Sequence, residues 1–385
     1  MDYFLTEEQA MIRDLARQVA QEKIKPVAAK YDESGEFPWE IMKTLAEMDF
    51  FRIYLDEEYG GLGLGLMGLV LATEELSRAC GGIALGFAAT ALGTMPLLMA
   101  GSEEQKKKYL PDLASGKSLA AFALTEPEAG SDVTSMKTTA KKDGDSYVIN
   151  GVKHFITNGG VAKFYTVIAS TDPSRGSRGA SAFIVEDGTP GFSYGKKEDK
   201  MGIRASVTGE LVFEDCRVPK ENLLGREGMG FSIALRTLDR SRPGVAAQAL
   251  GIAQGALDHA VEYSRQRVQF GHPISSFQAI QFKLADMATK IEAARALIYS
   301  VARMIDGGAK DYSKASAMCK LFASDVAMAV TTEAVQIFGG YGYMKEYPVE
   351  KYMRDAKITQ IYEGTNEIQR EVIARHLIKE AASKK

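Results

Sequence analysis

The stretch Ile361-Tyr362-Glu363-Gly364-Thr365-Asn366-Glu367-Ile368-Gln369-Arg370 lies near the C-terminus, in a short break between two segments of helical pattern. Glu363 stands between an aromatic ring and a glycine. Gly364 lets the backbone approach a ligand closely, because no Cβ stands in the way. A carboxylate held at such a bend beside Tyr362 is partly desolvated, which raises its pKa toward the range of a useful general base. The same residues also suit a plain helix start, since Thr365, Asn366 and Glu367 are ordinary N-terminal residues. The residues alone leave both readings open.

Outward from that break, the period is helical back to about Met229. Residues 231–238, 246–266, 277–305 and 312–338 read as long, Ala-rich amphipathic helices of a bundle. Before them the pattern changes. Residues 119–124, 147–149, 165–169, 182–185 and 210–213 are short, rich in β-branched and aromatic side chains, and separated by Gly, Asp and Pro turns. Their spacing without helices between them predicts an antiparallel barrel or sandwich. The first third is helical again. Thr6 and Gln9 form a capping box ahead of an Ile12, Leu15, Val19 stripe, and further helices are expected over 38–48, 68–78 and 103–113. Gly and Ala dominate 81–101, which suggests close helix packing beside a cavity. At 385 residues two or three domains are expected. The fold class is therefore α+β and multidomain: an N-terminal helical domain over 1–117, a middle antiparallel β barrel or sandwich over 118–228, and a C-terminal helical bundle over 229–385.

Gly63-Leu64-Gly65-Leu66-Met67-Gly68 matches the GxGxxG dinucleotide fingerprint. A true fingerprint follows a strand within a βαβ unit and is answered by further parallel strands. Here one possible short strand, 51–55, stands among helices, so the stretch reads as a loop. The net charge of -3 offers no basic field for nucleic acid or an anionic membrane. Cys80, Cys216 and Cys319 lack metal spacing and read as reduced core thiols. The four histidines form no HxxxH or HxH pair, so no metal site is expected. No run of about 18 apolar residues is apparent, so no membrane span is expected, and a helix from about Leu5 leaves no room for a leader.

Several separated motifs, in order and spacing, resemble the acyl-CoA dehydrogenases, flavoenzymes that desaturate acyl-CoA thioesters between Cα and Cβ. The 361–370 string is similar to their catalytic segment. Thr125-Glu126-Pro127-Glu128-Ala129-Gly130-Ser131-Asp132, taken alone a strand-end turn, resembles the loop that lies over the flavin. His154-Phe155-Ile156-Thr157-Asn158-Gly159-Gly160 resembles the second flavin segment, with Phe155 where relatives often carry Trp. Arg267-Val268-Gln269-Phe270-Gly271 and Gln336-Ile337-Phe338-Gly339-Gly340-Tyr341-Gly342 look like the parts given to the flavin's ADP moiety across a subunit boundary.

The resemblance implies a FAD site formed by Phe122, Leu124, Thr125, Gly130, Ser131, Phe155, Ile156 and Thr157. From the later motifs it adds Arg267, Gln269, Phe270, Phe277, Gln278, Gln336, Ile337, Gly339, Gly340, Thr365 and Glu367. It implies substrate contacts from Ser131, Asp239, Arg242, Tyr362 and Gly364, and Glu363 as the base that takes the α-proton while hydride passes to the flavin. Some family branches carry that carboxylate on the helix holding Leu238-Asp239-Arg240-Ser241-Arg242-Pro243; Ser241 occupies the position here, which leaves Glu363. The stretch 238–243 itself reads as a charged helix start. The resemblance further implies electron-transferring flavoprotein as electron acceptor, a homotetramer built as a dimer of dimers, and a cytoplasmic, bacterial-type location or a mature mitochondrial matrix form. The helix matching 83–100 lines the acyl pocket in relatives. It holds no cation here, so a buried carboxylate would lack a partner and a neutral acyl chain is favoured. The same residues also serve a reductase run in the opposite direction, a dehydrogenase of branched or cyclic acyl groups, or a non-catalytic acyl-CoA-binding relative.

Overall fold

A computed structural model describes residues 3–383. Six helices open the chain: α1 (Glu7–Val19), α2 (Ala28–Ser34), α3 (Trp39–Glu47), α4 (Gly65–Ala79), α5 (Gly81–Ala100) and α6 (Glu103–Ala114). The Thr6–Gln9 capping box is present, and a second one, Ser102 with Gln105, starts α6. Residues 50–52, overlapping the start of the possible strand at 51–55, form a 3-10 turn instead. Asp49 before it sits at φ +61°, a bend that ends the extended option.

The middle region is an eight-stranded sheet of β1 (Ala120–Ala123), β2 (Thr139–Asp143), β3 (Ser146–Thr157), β4 (Phe164–Ser170), β5 (Ala180–Glu186), β6 (Phe192–Lys197), β7 (Thr208–Pro219) and β8 (Leu223–Leu224). Its order is β6-β7-β3-β2-β4-β5-β8, with β1 beside β4. Pairing is antiparallel except at β4, where β1 along its length and β2 at one residue pair run parallel, a departure from the all-antiparallel expectation. A parallel pair needs a long crossover, and residues 124–163 supply it. β5 reads as a continuous buried run, Ala180 through Val185, because its two faces are both covered.

The C-terminal region holds α7 (Gly230–Gln266), α8 (Gln278–Asp306), α9 (Ser313–Phe338), α10 (Val349–Ile358) and α11 (Asn366–Ala382). The sequence suggests two helices around a charged start at 238–243, and the structure corrects this: α7 is one helix of 37 residues with Pro243 inside it. Proline removes one helical N–H and displaces the carbonyl four residues before it. That carbonyl, of Asp239, accepts instead from the Ser316 hydroxyl of α9. The break therefore never forms.

One continuous core joins the three regions, and α5 sits at its middle against α4, α7 and β1. Two segments, Gly81–Ala100 and Ser313–Tyr343, are long and apolar enough to cross a membrane by composition, contrary to the expectation that none exists. The first is 72% buried in the protein, where an all-round apolar surface is what its position demands. Cys80, Cys216 and Cys319 are buried and free. Among the described residues no cluster of metal-ligating side chains occurs.

Candidate active site

A cavity of about 260 Å³ opens where α5, the sheet, α7 and the turn between α10 and α11 meet. Glu363 occupies that turn at φ +52°, followed by Gly364 at φ +88°. Two successive left-handed residues reverse the chain between α10 and α11 and carry the Glu363 side chain into the cavity wall. The Ser241 hydroxyl, from the middle of α7, donates to Glu363 Oε2. Burial pushes the Glu363 carboxyl above its ordinary value; the Ser241 hydrogen bond and the charges of Arg242 and Lys320 pull it back without cancelling the rise. Tyr362 is tied down by donating to Gln248 Oε1, and Gln248 in turn donates to the Gly81 carbonyl at 3.0 Å. Burial raises the Tyr362 phenol well above its ordinary pKa, so it stays neutral.

The opposite wall comes from the sheet. His154 and Phe155 sit at an irregularity of β3, between Lys153 and Ile156. Phe155 has φ +57°, and its ring is turned out to 59% exposure over the cavity. A bulge re-aims a side chain that a regular strand would bury. The His154 N–H donates to the Thr125 carbonyl at 2.8 Å, which joins the two sequence motifs directly. Asn158, fully buried, donates to the carbonyls of Gly86 and Ala120 and so anchors the second motif on α5. The 125–132 loop is braced from beneath. Glu126 accepts from Lys153 at 2.7 Å, from the Lys137 N–H at 2.6 Å and from the Thr138 N–H at 3.1 Å. Lys153 also donates to the Leu124 carbonyl, at 2.9 Å.

Phe122, Leu124, Thr125, Gly130, Ser131, Phe155, Ile156 and Thr157 all line this cavity, as do Arg242, Tyr362, Glu363 and Gly364. Asp239 lies behind it and accepts from Arg242 at 2.5 Å and from Ser313 at 3.0 Å. A second group gathers elsewhere. Arg267, Gln269, Ile337, Gly339 and Gly340 form a groove with Tyr263 and Tyr341, the Arg267 guanidinium lying 5.2 Å from the Tyr341 ring centroid. Phe270 stands 92% exposed beside Phe277, while Gln278 opens α8 and Gln336 lies in the last turn of α9. Thr365 and Glu367 line neither site: Thr365 caps α11 by accepting from the Ile368 N–H at 3.4 Å, and Glu367 is an exposed first-turn acid. Within 361–370 the helix start is made by Thr365, while Glu363 and Gly364 line the cavity.

Gln248, Lys320, Asn366, Gln369 and the Glu126–Lys153 pair are absent from the sequence-derived site. Lys320 carried a legible signal, because Ser316, Ala317, Ala323 and Ser324 place it on the small-residue face of α9 that the fold buries.

Residues 6–117, 121–216 and 228–378 match the acyl-CoA dehydrogenase N-terminal, middle and C-terminal domains. The chain belongs to the acyl-CoA dehydrogenase family. The butyryl-CoA dehydrogenase of Megasphaera elsdenii is 52% identical, with TM-score 0.96 over 98% of this chain and 100% of its own. A chain from a study of the electron-transferring flavoprotein of Acidaminococcus fermentans and flavin-based electron bifurcation is 55% identical, with TM-score 0.96 over 98% and 99%. The acryloyl-CoA reductase (NADH) of Anaerotignum propionicum is 51% identical over 381 residues, 98% of this chain and 96% of its own. As an acyl-CoA dehydrogenase the protein is an FAD-dependent oxidoreductase acting on acyl-CoA, by α,β-dehydrogenation or its reverse. The cavity suits that cofactor. A Cβ at Gly130 would meet nothing within 4 Å, so the loop leaves open space beside the exposed face of Phe155.

Proposed function

We propose that Glu363 is the base of this acyl-CoA dehydrogenase and that its substrate is a short, neutral acyl-CoA. One observation carries the assignment. The Glu363 carboxylate, raised in pKa by burial, is the acid that shares the cavity with both flavin motifs. FAD bound against Phe155 and Thr157 supplies two-electron acceptor chemistry. The chain's own part is proton removal and placement. Glu363 Oε2 takes the α-proton once the Ser241 hydroxyl has yielded to substrate. The Glu363 N–H makes no hydrogen bond among the described residues and so remains available to the thioester oxygen, where negative charge develops. Phe122, Leu124, Thr125, Gly130, Ser131, Phe155, Ile156 and Thr157 hold the reactive end of the cofactor. Ser131, Arg242, Tyr362 and Gly364 hold the acyl-CoA, and Asp239 steadies Arg242.

The acyl end favours a neutral chain. Leu85, Ala88 and Ala89 line it, and the nearby Arg242 is already paired with Asp239. The groove at Arg267, Gln269, Ile337, Gly339 and Gly340, with Phe270, Phe277, Gln278 and Gln336, would serve the cofactor's ADP end in a neighbouring subunit. The 92% exposure of Phe270 is consistent with a covering partner, and the resemblance makes that partner part of a homotetramer arranged as a dimer of dimers. Electron-transferring flavoprotein as redox partner, a cytoplasmic location, and domains over 1–117, 118–228 and 229–385 complete the reading.

Glu363→Gln tests the base. The variant keeps the shape and the N–H, so acyl-CoA should still bind and perturb the flavin spectrum. Flavin reduction should fall at least about a hundredfold. Reduction at the wild-type rate would overturn the assignment. The reverse direction has the same residue roles, and turnover with enoyl-CoA and a reduced donor separates the two.

A further inference from the structure

Lys320 is 0% exposed on α9, behind the turn that carries Glu363. Its ammonium donates to the Gly364 carbonyl at 2.8 Å and to Asn366 Oδ1 at 2.9 Å. Asn366 is fixed from its other side, donating to Ser324 Oγ at 2.9 Å and Asp325 Oδ1 at 2.8 Å. Gln369 closes the clamp by donating to the Glu363 and Gly364 carbonyls at 3.2 and 2.9 Å. What these groups hold is a turn with φ +52° at Glu363 and +88° at Gly364. The left-handed region is disfavoured for a residue with a Cβ, so Glu363 stays there only under restraint. A buried ammonium is an expensive way to join two helices, since an apolar side chain of similar size does so without desolvating a charge. The expense points to a use for the charge.

We propose that Lys320 is a positioning residue for Glu363: its ammonium pins the left-handed turn through the Gly364 carbonyl and Asn366. This rests on Glu363 being the base. The charged groups around Lys320 are Glu363 on the turn, Arg242 from α7, Asp325 on α9 and Glu367 on α11. Burial draws the Lys320 pKa down to about 8, with the charge of Glu363 opposing, so the ammonium persists at neutral pH. Around Glu363 stand Ser241 and Arg242 from α7 and Lys320 from α9, all three favouring its ionised form against burial. Removing the cation therefore makes the carboxylate harder to ionise, and the pH below which activity is lost must rise.

The test compares Lys320→Met, Lys320→Arg and Glu363→Gln as FAD-loaded enzymes, reading flavin reduction by butyryl-CoA across about pH 5 to 9. Lys320→Met should lower the limiting rate at least about tenfold, with half-saturation within about threefold, because a small misplacement of a catalytic group is costly while binding is spared. Its acid limb should move to higher pH, and Lys320→Arg, which keeps the charge, should retain the wild-type limb. An unmoved limb in Lys320→Met, or an equal movement in both variants, overturns the proposal. So does failure of both to fold, which would make Lys320 a support of the fold alone. Glu363→Gln separates the causes: if it still reduces flavin at the wild-type rate, the base assignment fails; if it is dead while Lys320→Met behaves as wild type, only the role of Lys320 fails.

Discussion

Ser241 and Glu363, 122 residues apart in the chain, are hydrogen-bonded side chain to side chain across the cavity. The contact joins the middle of α7 to the turn before α11. The resemblance implies that some family branches carry their carboxylate at the Ser241 position, and the contact sets that position beside Glu363.

Ser241→Ala removes a donor that favours the ionised Glu363. A base must be deprotonated to act, and burial already sets its pKa above the ordinary carboxylate value. Loss of the donor raises it further, so the acid limb of kcat/KM should move to higher pH while the rate on the alkaline side changes little. In the Glu363→Gln background, Ser241→Glu should restore part of the lost flavin reduction. A pH series of stopped-flow reductions measures both.

Arg267→Ala should weaken FAD retention. The residue lies in the second groove, beside Tyr341, and not at the catalytic cavity. The loss should show as FAD released on gel filtration, and it should be no greater in a forced monomer, which lacks the neighbour's groove already. A monomer that retains FAD as tightly as the native assembly would contradict the shared site.

Glutaryl-CoA should turn over poorly beside butyryl-CoA. Ile83 and Phe87 are fully buried in the core and Leu85, Ala88 and Ala89 line the cavity, so a distal carboxylate finds no cation there. Burying it unpaired is costly. Comparable kcat/KM for the two thioesters would show a carboxylate partner elsewhere.

Lys153→Met should destabilise the protein by about 3–5 kcal/mol, the typical cost of breaking a buried pair and leaving one charge behind. Lys153 and Glu126 are 0% and 5% exposed and 2.7 Å apart. Denaturant melts of holo and apo protein measure the loss. Because Glu126 braces the 125–132 loop, FAD affinity should fall with it.

The order helix, sheet, helix was legible because periods of 3.6 and 2 survive any tertiary detail, and the Thr6 capping box is a purely local signal. The cavity residues Phe122, Leu124, Thr125, Gly130 and Ser131, with those at 155–157 and 362–364, were legible through motifs. What escaped reading depended on partners distant in sequence. Pro243 signals a break until Ser316 takes up the carbonyl it frees. Nothing local to Lys153 names Glu126 as its partner, and the small-residue face that buries Lys320 does not show that the Gly364 carbonyl is its acceptor. Strand order around β4 likewise depends on a crossover that no local pattern records.

The uninterrupted α7 has one more effect. It carries Ser241 at the catalytic cavity and ends at Arg267 in the second groove, and a helix rising 1.5 Å per residue sets these about 39 Å apart along its axis. Such a strut holds the two grooves of one chain apart, and on the reading proposed above a complete site would draw on two copies. Defects at opposite ends of the strut should then complement: coexpressed Glu363→Gln and Arg267→Ala chains should form hybrids in which some sites pair an intact base with an intact groove, and activity should exceed that of either parent alone.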